Sequence, residues 1–135
     1  MSDGFVADTM AIVLMLEQRK LPKRIRQIFE EAERGNTYLY IPAIALAEIG
    51  YLSQRNRIDI NLNTVIDYCL IHKTIEIMPL TYEIIIKSFD IDDIPELHDR
   101  LIAGTAANIG LTLLTNDPVI TNSRHLSTIW DSNDL

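Results

Sequence analysis

The chain has 135 residues, which at about 150 residues per domain implies one domain, expected over residues 1–135. Its content of 47% hydrophobic and 23% charged residues excludes a disordered tail, a collagen-like chain and a coiled-coil rod. Twelve Lys and Arg against nineteen Asp and Glu leave a formal net charge of -7, which excludes nucleic-acid binding through bulk positive charge; any such binding would rest on a local basic patch or on metal ions.

In chain order, Gly4-Phe5-Val6-Ala7 reads as a first strand ending at Asp8, with Thr9 as the N-cap of a helix through Gln18. That helix contains the longest apolar run, Met10 to Leu16, at seven residues. A membrane span needs about 20, so no membrane association is expected. Pro22 opens a second helix, in which Ile25, Ile28, Phe29 and Ala32 fall on one face, and Gly35 stops it. Tyr38-Leu39-Tyr40-Ile41 is the second strand, and Pro42 suits the first turn of a helix running to about Asn56.

A further helix spans Leu62 to Ile71, with Leu62, Val65, Ile66, Cys69 and Leu70 on one side. Ile75 to Met78 is the third strand, and Thr81 caps a helix through about Phe89. Asp90 to Pro95 is a polar loop, and a helix from Glu96 to Asn108 ends at Gly110. Leu111 to Thr115 is the fourth strand, and Thr128-Ile129-Trp130 a short fifth. Cys69 is the lone cysteine, and Met1-Ser2-Asp3-Gly4 lacks the basic and apolar pattern of a secretory signal. A cytoplasmic location is expected.

Strands alternating with helices predict an α/β fold with a largely parallel sheet covered on both faces. Such sheets build their sites at the carboxyl ends of strands, where the strand order reverses. Asp8 directly follows the first strand and Asp117 the fourth. Asp after a strand is also a common turn former or helix cap, and Asp117-Pro118 suits that role.

Two helical acids are harder to explain so. Glu48 has Ala45, Ile44, Tyr51 and Leu52 as its i±3 and i±4 neighbours, and Asp99 has Ile102, Ala103 and Ala106 on its face. Each is an ionisable group on a stripe that a helix turns toward the core. A lone buried carboxylate is costly, so such a group is expected to pair, bind a metal or line a cleft. The flanking His98 and Arg100 point to other faces of that helix, and His72, His98 and His125 show no zinc spacing. An all-oxygen carboxylate cluster is the ligand set of Mg²⁺ or Mn²⁺. The residues thus point to a metal-dependent phosphoryl-transfer or phosphodiester-cleaving site.

Four segments carry a resemblance in order along the chain: Phe5-Val6-Ala7-Asp8-Thr9, Pro42-Ala43-Ile44-Ala45-Leu46-Ala47-Glu48, His98-Asp99-Arg100-Leu101-Ile102-Ala103-Gly104-Thr105-Ala106 and Leu113-Leu114-Thr115-Asn116-Asp117. Together they resemble the PIN domain, and most closely PIN-domain toxins of the VapC type from bacterial toxin–antitoxin pairs. The resemblance implies a five-stranded α/β/α sandwich, a Mg²⁺ or Mn²⁺ site and endoribonuclease activity on an RNA substrate. It also implies a small antitoxin as partner and a homodimer. It carries catalytic and metal-ligand roles onto Asp8, Glu48, Asp99 and Asp117, and supporting roles onto Thr9, Thr115 and Asn116. Met10 departs from the small polar residue frequent after the Asp-Thr pair, and no Arg or Lys follows closely behind Asp117.

Arg19, Lys20, Lys23, Arg24 and Arg26 form the dense basic run, a candidate for guiding RNA. Asp90, Asp92, Asp93 and Glu96 lack the Gly and final Glu of a calcium loop and read as an exposed loop and helix start. The alternative to a nuclease is a catalytically weak PIN-like module that binds RNA or protein. A receiver or haloacid-type phosphatase is disfavoured, since Asp8-Thr9-Met10 supplies neither adjacent acids nor Asp-x-Asp.

Overall fold

The structure, a computed structural model, describes residues 4–131. Residues 1–3 and 132–135, the ends of the expected 1–135 domain, lie outside the described residues. Five parallel strands form one sheet: β1 (Gly4–Ala7), β2 (Tyr38–Pro42), β3 (Ile75–Met78), β4 (Thr112–Leu114) and β5 (Thr128–Ile129), in the order β3-β2-β1-β4-β5. Seven helices connect them: α1 (Thr9–Leu16), α2 (Lys23–Glu33), α3 (Ala43–Gln54), α4 (Leu62–Ile71), α5 (Tyr82–Phe89), α6 (Leu97–Ile109) and the short α7 (Pro118–Thr121). The expected α/β/α sandwich with its parallel five-stranded sheet is observed.

Successive strand residues point to opposite faces of a sheet, and here both faces are buried. Ala7, Leu39, Ile41, Ile75 and Leu114 face one core, with α1, α2, α3 and α4 packed on it. Val6 and Leu113 face the other, closed by Ile102, Ala103 and Ala106 of α6 together with Ile91 and Ile94. This double burial is why the strands read as continuous apolar runs rather than alternating ones.

Element ends follow local chemistry. Gly35 (φ +83°) follows α2 and Gly110 (φ +72°) ends α6, each in the left-handed region that favours glycine. α1 ends at Leu16, two residues before the expected Gln18, because Gln18 itself takes a positive φ of 56° and reverses the chain. The carboxylate of Glu17 then accepts the backbone N–H groups of Asp59 (2.5 Å) and Ile60 (3.1 Å), fastening the connection that leads into α4. α6 begins at Leu97, with Glu96 as its N-cap rather than its first residue. Its packing on α5 is close: a Cβ on Gly104 would lie 1.9 Å from Ser88 Oγ and 2.9 Å from Ser88 Cα. No helix among the described residues is long and apolar enough to cross a membrane.

Candidate active site

Two of the four acids are brought together by the sheet itself. Ala7 pairs with Leu114, and the Asp8 N–H extends the ladder by donating to the Leu114 carbonyl at 3.1 Å. Asp8 and Asp117 therefore leave neighbouring strands at the carboxyl edge. β1 stands between β2 and β4, so this is the point where the strand order reverses.

Both acids also begin helices. Asp8 Oδ1 accepts the Ala11 N–H at 3.0 Å and caps α1; Asp117 Oδ1 accepts those of Val119 (2.9 Å) and Ile120 (3.3 Å) and caps α7. The cap expected at Thr9 belongs to Asp8, one residue earlier. A carboxylate satisfies the orphan amides as well as a hydroxyl does, and Thr9 Oγ1 is free to donate to Glu48 Oε1 instead.

Helices supply the other two acids. Glu48 projects from the second turn of α3, half-buried, and Asp99 from the first turn of α6, also half-buried. All four acids line a single cleft of about 990 Å³, together with Thr9 and Asn116. Thr115, almost fully buried, hydrogen-bonds to the Asp8 carboxylate through its side chain, and its Oγ1 accepts the Asp117 N–H at 3.1 Å. It braces both strand-end acids at once.

Burial pushes the pKa of Asp8 up to about 6, against the hydrogen bonds from Thr115 and Ala11, and the charges of Asp117 and Glu48 add to the rise. Asp99 is also pushed up to about 6, first by burial and then by the charges of Asp117, Glu96, Glu48 and Asp8. No Lys or Arg is among the described residues that line the cleft. The donor set, carboxylate oxygens repelling one another without a protein cation between them, fits a hard divalent cation. The four surround the cleft openly rather than as a closed cage.

The tighter grouping lies elsewhere. Among the described residues, Asp92, Asp93 and His125 are the set of three ligand-type side chains whose donor atoms come within 4.8 Å of one another. Sequence spacing alone placed the two acids in an exposed loop and left His125 isolated. In the fold, Asp93 accepts from Ser123 Oγ (2.8 Å) and the Arg124 N–H (2.9 Å), while His125 Nε2 lies 2.9 Å from Asp92 Oδ1. The group ties the loop before α6, whose first turn carries Asp99, to the loop after α7, which Asp117 caps.

Other expectations fare unevenly. His98 was expected to face away from Asp99, yet it too lines the cleft, because the first turn of α6 stands at the cleft mouth. Its Nδ1 lies 2.8 Å from Glu96 Oε2, and that bond raises its pKa. Arg100 does face away: its Nε donates to the Ile94 carbonyl at 2.8 Å and its guanidinium lies over the Phe89 ring. None of Arg19, Lys20, Lys23, Arg24 and Arg26 lines the cleft. Arg26 donates to the Arg19 carbonyl at 2.9 Å, and Arg19 pairs with Glu17 at 3.3 Å. The cleft also includes Met10, Tyr51, Leu52 and Ile102, to which the sequence assigned no role in the site. Their spacing from Asp8, Glu48 and Asp99 was the available signal.

A family model described as the PIN domain matches residues 5–124. Solved structures share the fold. A chain of VapBC2 from Rickettsia felis, bound to a DNA fragment from its promoter, matches with 20% identity over 95% of this chain and 99% of that one, at a TM-score of 0.73. A chain of DNA-bound VapBC from Salmonella typhimurium gives 19% identity, 96% and 98% coverage and 0.69. FitAcB from Neisseria gonorrhoeae gives 19%, 93% and 96%, and 0.64. Among curated proteins none matches the chain in sequence.

Proposed function

The chain belongs to the PIN domain family, and on that premise we propose that it is a Mg²⁺- or Mn²⁺-dependent endoribonuclease acting as the toxin of a toxin–antitoxin pair. The observation that carries the reading is the convergence of four carboxylates, from two strand ends and two helices, on one cleft whose lining among the described residues includes no Lys or Arg. Asp8, Glu48, Asp99 and Asp117 would hold the metal, which supplies an activated water and a counter-charge for the phosphate oxygens. Thr9 and Thr115 fix two of these carboxylates, Glu48 and Asp8, by hydrogen bonds, and Thr115 Oγ1 also holds the Asp117 backbone N–H. Asn116, exposed at the rim between Thr115 and Asp117, is placed to touch the ribose-phosphate.

Two apolar surfaces fit the partners of such a toxin. On α5, Tyr82, Ile85, Ile86 and Phe89 are exposed at i, i+3, i+4 and i+7, a stripe suited to a second copy of the chain. Between α3 and α4 a shallow groove, with Leu46, Leu62 and Ile66 in its lining, opens beside the acidic cleft and suits the apolar segment of an antitoxin. VapBC2 of Rickettsia felis and VapBC of Salmonella typhimurium are themselves bound to DNA.

The test is incubation of the purified protein with total RNA in Mg²⁺, Mn²⁺ or chelator, with mapping of new ends. Discrete ends should appear with metal and vanish with chelator. Asp8→Asn, Glu48→Gln, Asp99→Asn and Asp117→Asn should each lower cleavage by about 100-fold or more, and double variants should fall little further. Wild-type cleavage by Asp8→Asn or Asp99→Asn overturns the reading.

A further inference from the structure

We infer that the outer face of α3 is a single-stranded RNA track, in which Tyr51 stacks on a nucleobase and Arg55 takes a backbone phosphate. The inference rests on the nuclease reading of the cleft and adds to it the groups that hold the strand. A cleft lined by acids, and without Lys or Arg among its described residues, gives RNA nothing to grip except through metal, so contacts with the bases and the next phosphate must come from its margin. Tyr51 is at that margin. It stands one turn beyond Glu48, is the one Phe, Tyr or Trp among the described residues lining the cleft, and also borders the groove between α3 and α4.

Tyr51 as a residue is 57% exposed, although Ala45 and Ile49 on the inner face of the same helix are fully buried. It is therefore no part of the core. The Arg55 guanidinium lies 4.8 Å from the centroid of the Tyr51 ring, which holds the aromatic plane against one cation and leaves its remaining surface to solvent. Arg55 follows Glu48 by two helical turns, about 10 Å along the axis. Acid, aromatic and cation thus succeed one another outward from the cleft on one side of α3. A base stacks on an aromatic face with little regard to its identity, and Arg adds both charge and a second planar surface. The basic run at Arg19 to Arg26 has no such relation to the cleft.

Binding of a short fluorescein-labelled single-stranded RNA to the full chain in chelator, followed by anisotropy, separates this inference from the cleavage reaction. Tyr51→Ala should weaken binding by about 5- to 100-fold, while Tyr51→Phe and Tyr51→Trp retain it. Arg55→Ala should reduce the slope of log affinity against log salt by about 0.7. An abasic site placed along the RNA should cost wild type affinity at one position and cost Tyr51→Ala nothing there. Tyr51 and Arg55 are exposed, so unchanged melting temperatures are expected and make loss of fold visible. Equal binding by wild type and Tyr51→Ala overturns the track, whether or not the protein cleaves. So does loss of binding in Tyr51→Phe, which would point to the hydroxyl. If Tyr51→Ala instead loses only a protein partner and keeps RNA, the face is a protein interface and the inference fails. Tyr51-dependent binding by a protein that never cleaves supports the track and overturns the nuclease reading alone.

Discussion

Asp8 and Asp99 each hold a proton to about pH 6, whereas an unfolded Asp releases it near 4. Between those values each of these two acids binds more protons in the folded chain than in the unfolded one, so their contribution to stability in chelator should decrease as pH rises from about 4 to about 6. Asp99→Asn removes one repelling charge; it should melt higher than wild type in chelator at pH 7 yet gain less from Mn²⁺. Wild type should gain about 2.7 kcal/mol at a hundredfold excess over Kd, a melting shift on the order of 5–10 °C. Equal responses of the two proteins to metal would refute a shared site. Thr115→Val removes the hydrogen bond that lowers the Asp8 pKa, so the acid limb of the pH–rate profile should move to higher pH. Cleavage should fall about 10- to 100-fold, as for other groups that brace metal ligands. An unmoved profile would show that Thr115 is only packing.

The α5–α6 pair decides where Asp99 sits, and Gly104 decides how closely that pair packs. A methyl group there meets Ser88 backbone as well as its side chain, and Ser88 Oγ is already committed to the Ile84 carbonyl at 2.7 Å. Gly104→Ala should cost about 1–3 kcal/mol and lower the melting temperature by several degrees, measured by circular dichroism. A melting curve identical to wild type would show that the two helices separate freely. At this scale the sequence was readable where the signal was local. The apolar period of α2, the Gly after α2 and the cap at Thr81 lie within a few residues of what they control, whereas of the apolar stripe expected on α4 only Val65 is buried and Leu62, Ile66 and Leu70 are exposed. α7 was missed because a four-residue helix has no period to detect, and the cap of α1 was misplaced because Asp8 and Thr9 are both good caps. Gly104 gave no sign in sequence, since the partner that requires it is sixteen residues away on another helix.

For the whole molecule, the four exposed apolar side chains of α5 are the face to test for self-association. Ile86→Glu should convert a dimer to a monomer in sedimentation at micromolar concentration without lowering the melting temperature of the subunit. A wild type that sediments as a monomer there, with full cleavage, would remove the dimer from the mechanism. The candidate site was legible as four acids because two of them stood at strand ends and two on apolar helix stripes. Tyr51 and His98 were not, because an aromatic or a His one turn from an acid looks the same in sequence whether it faces a cleft or bulk water. The clasp of Asp92 and Asp93 on Ser123, Arg124 and His125 was equally hidden, as it joins loops about thirty residues apart.

The two strand-end acids divide their oxygens between structure and chemistry. In Asp8 and in Asp117, Oδ1 is fastened to helix-opening amides, and Thr115 also bonds the Asp8 carboxylate, so each carboxylate has an oxygen already committed and little rotational freedom. This favours one-point over two-point ligation and fixes the direction from which charge is offered before any ion arrives. It also sets how the site can be dissected. Asn caps a helix about as well as Asp, whereas Ala forfeits about 1 kcal/mol with the cap. Replacing these residues by Asn therefore switches off the charge and keeps the anchor, but Ala removes both at once and would misread a loosened helix as a lost ligand.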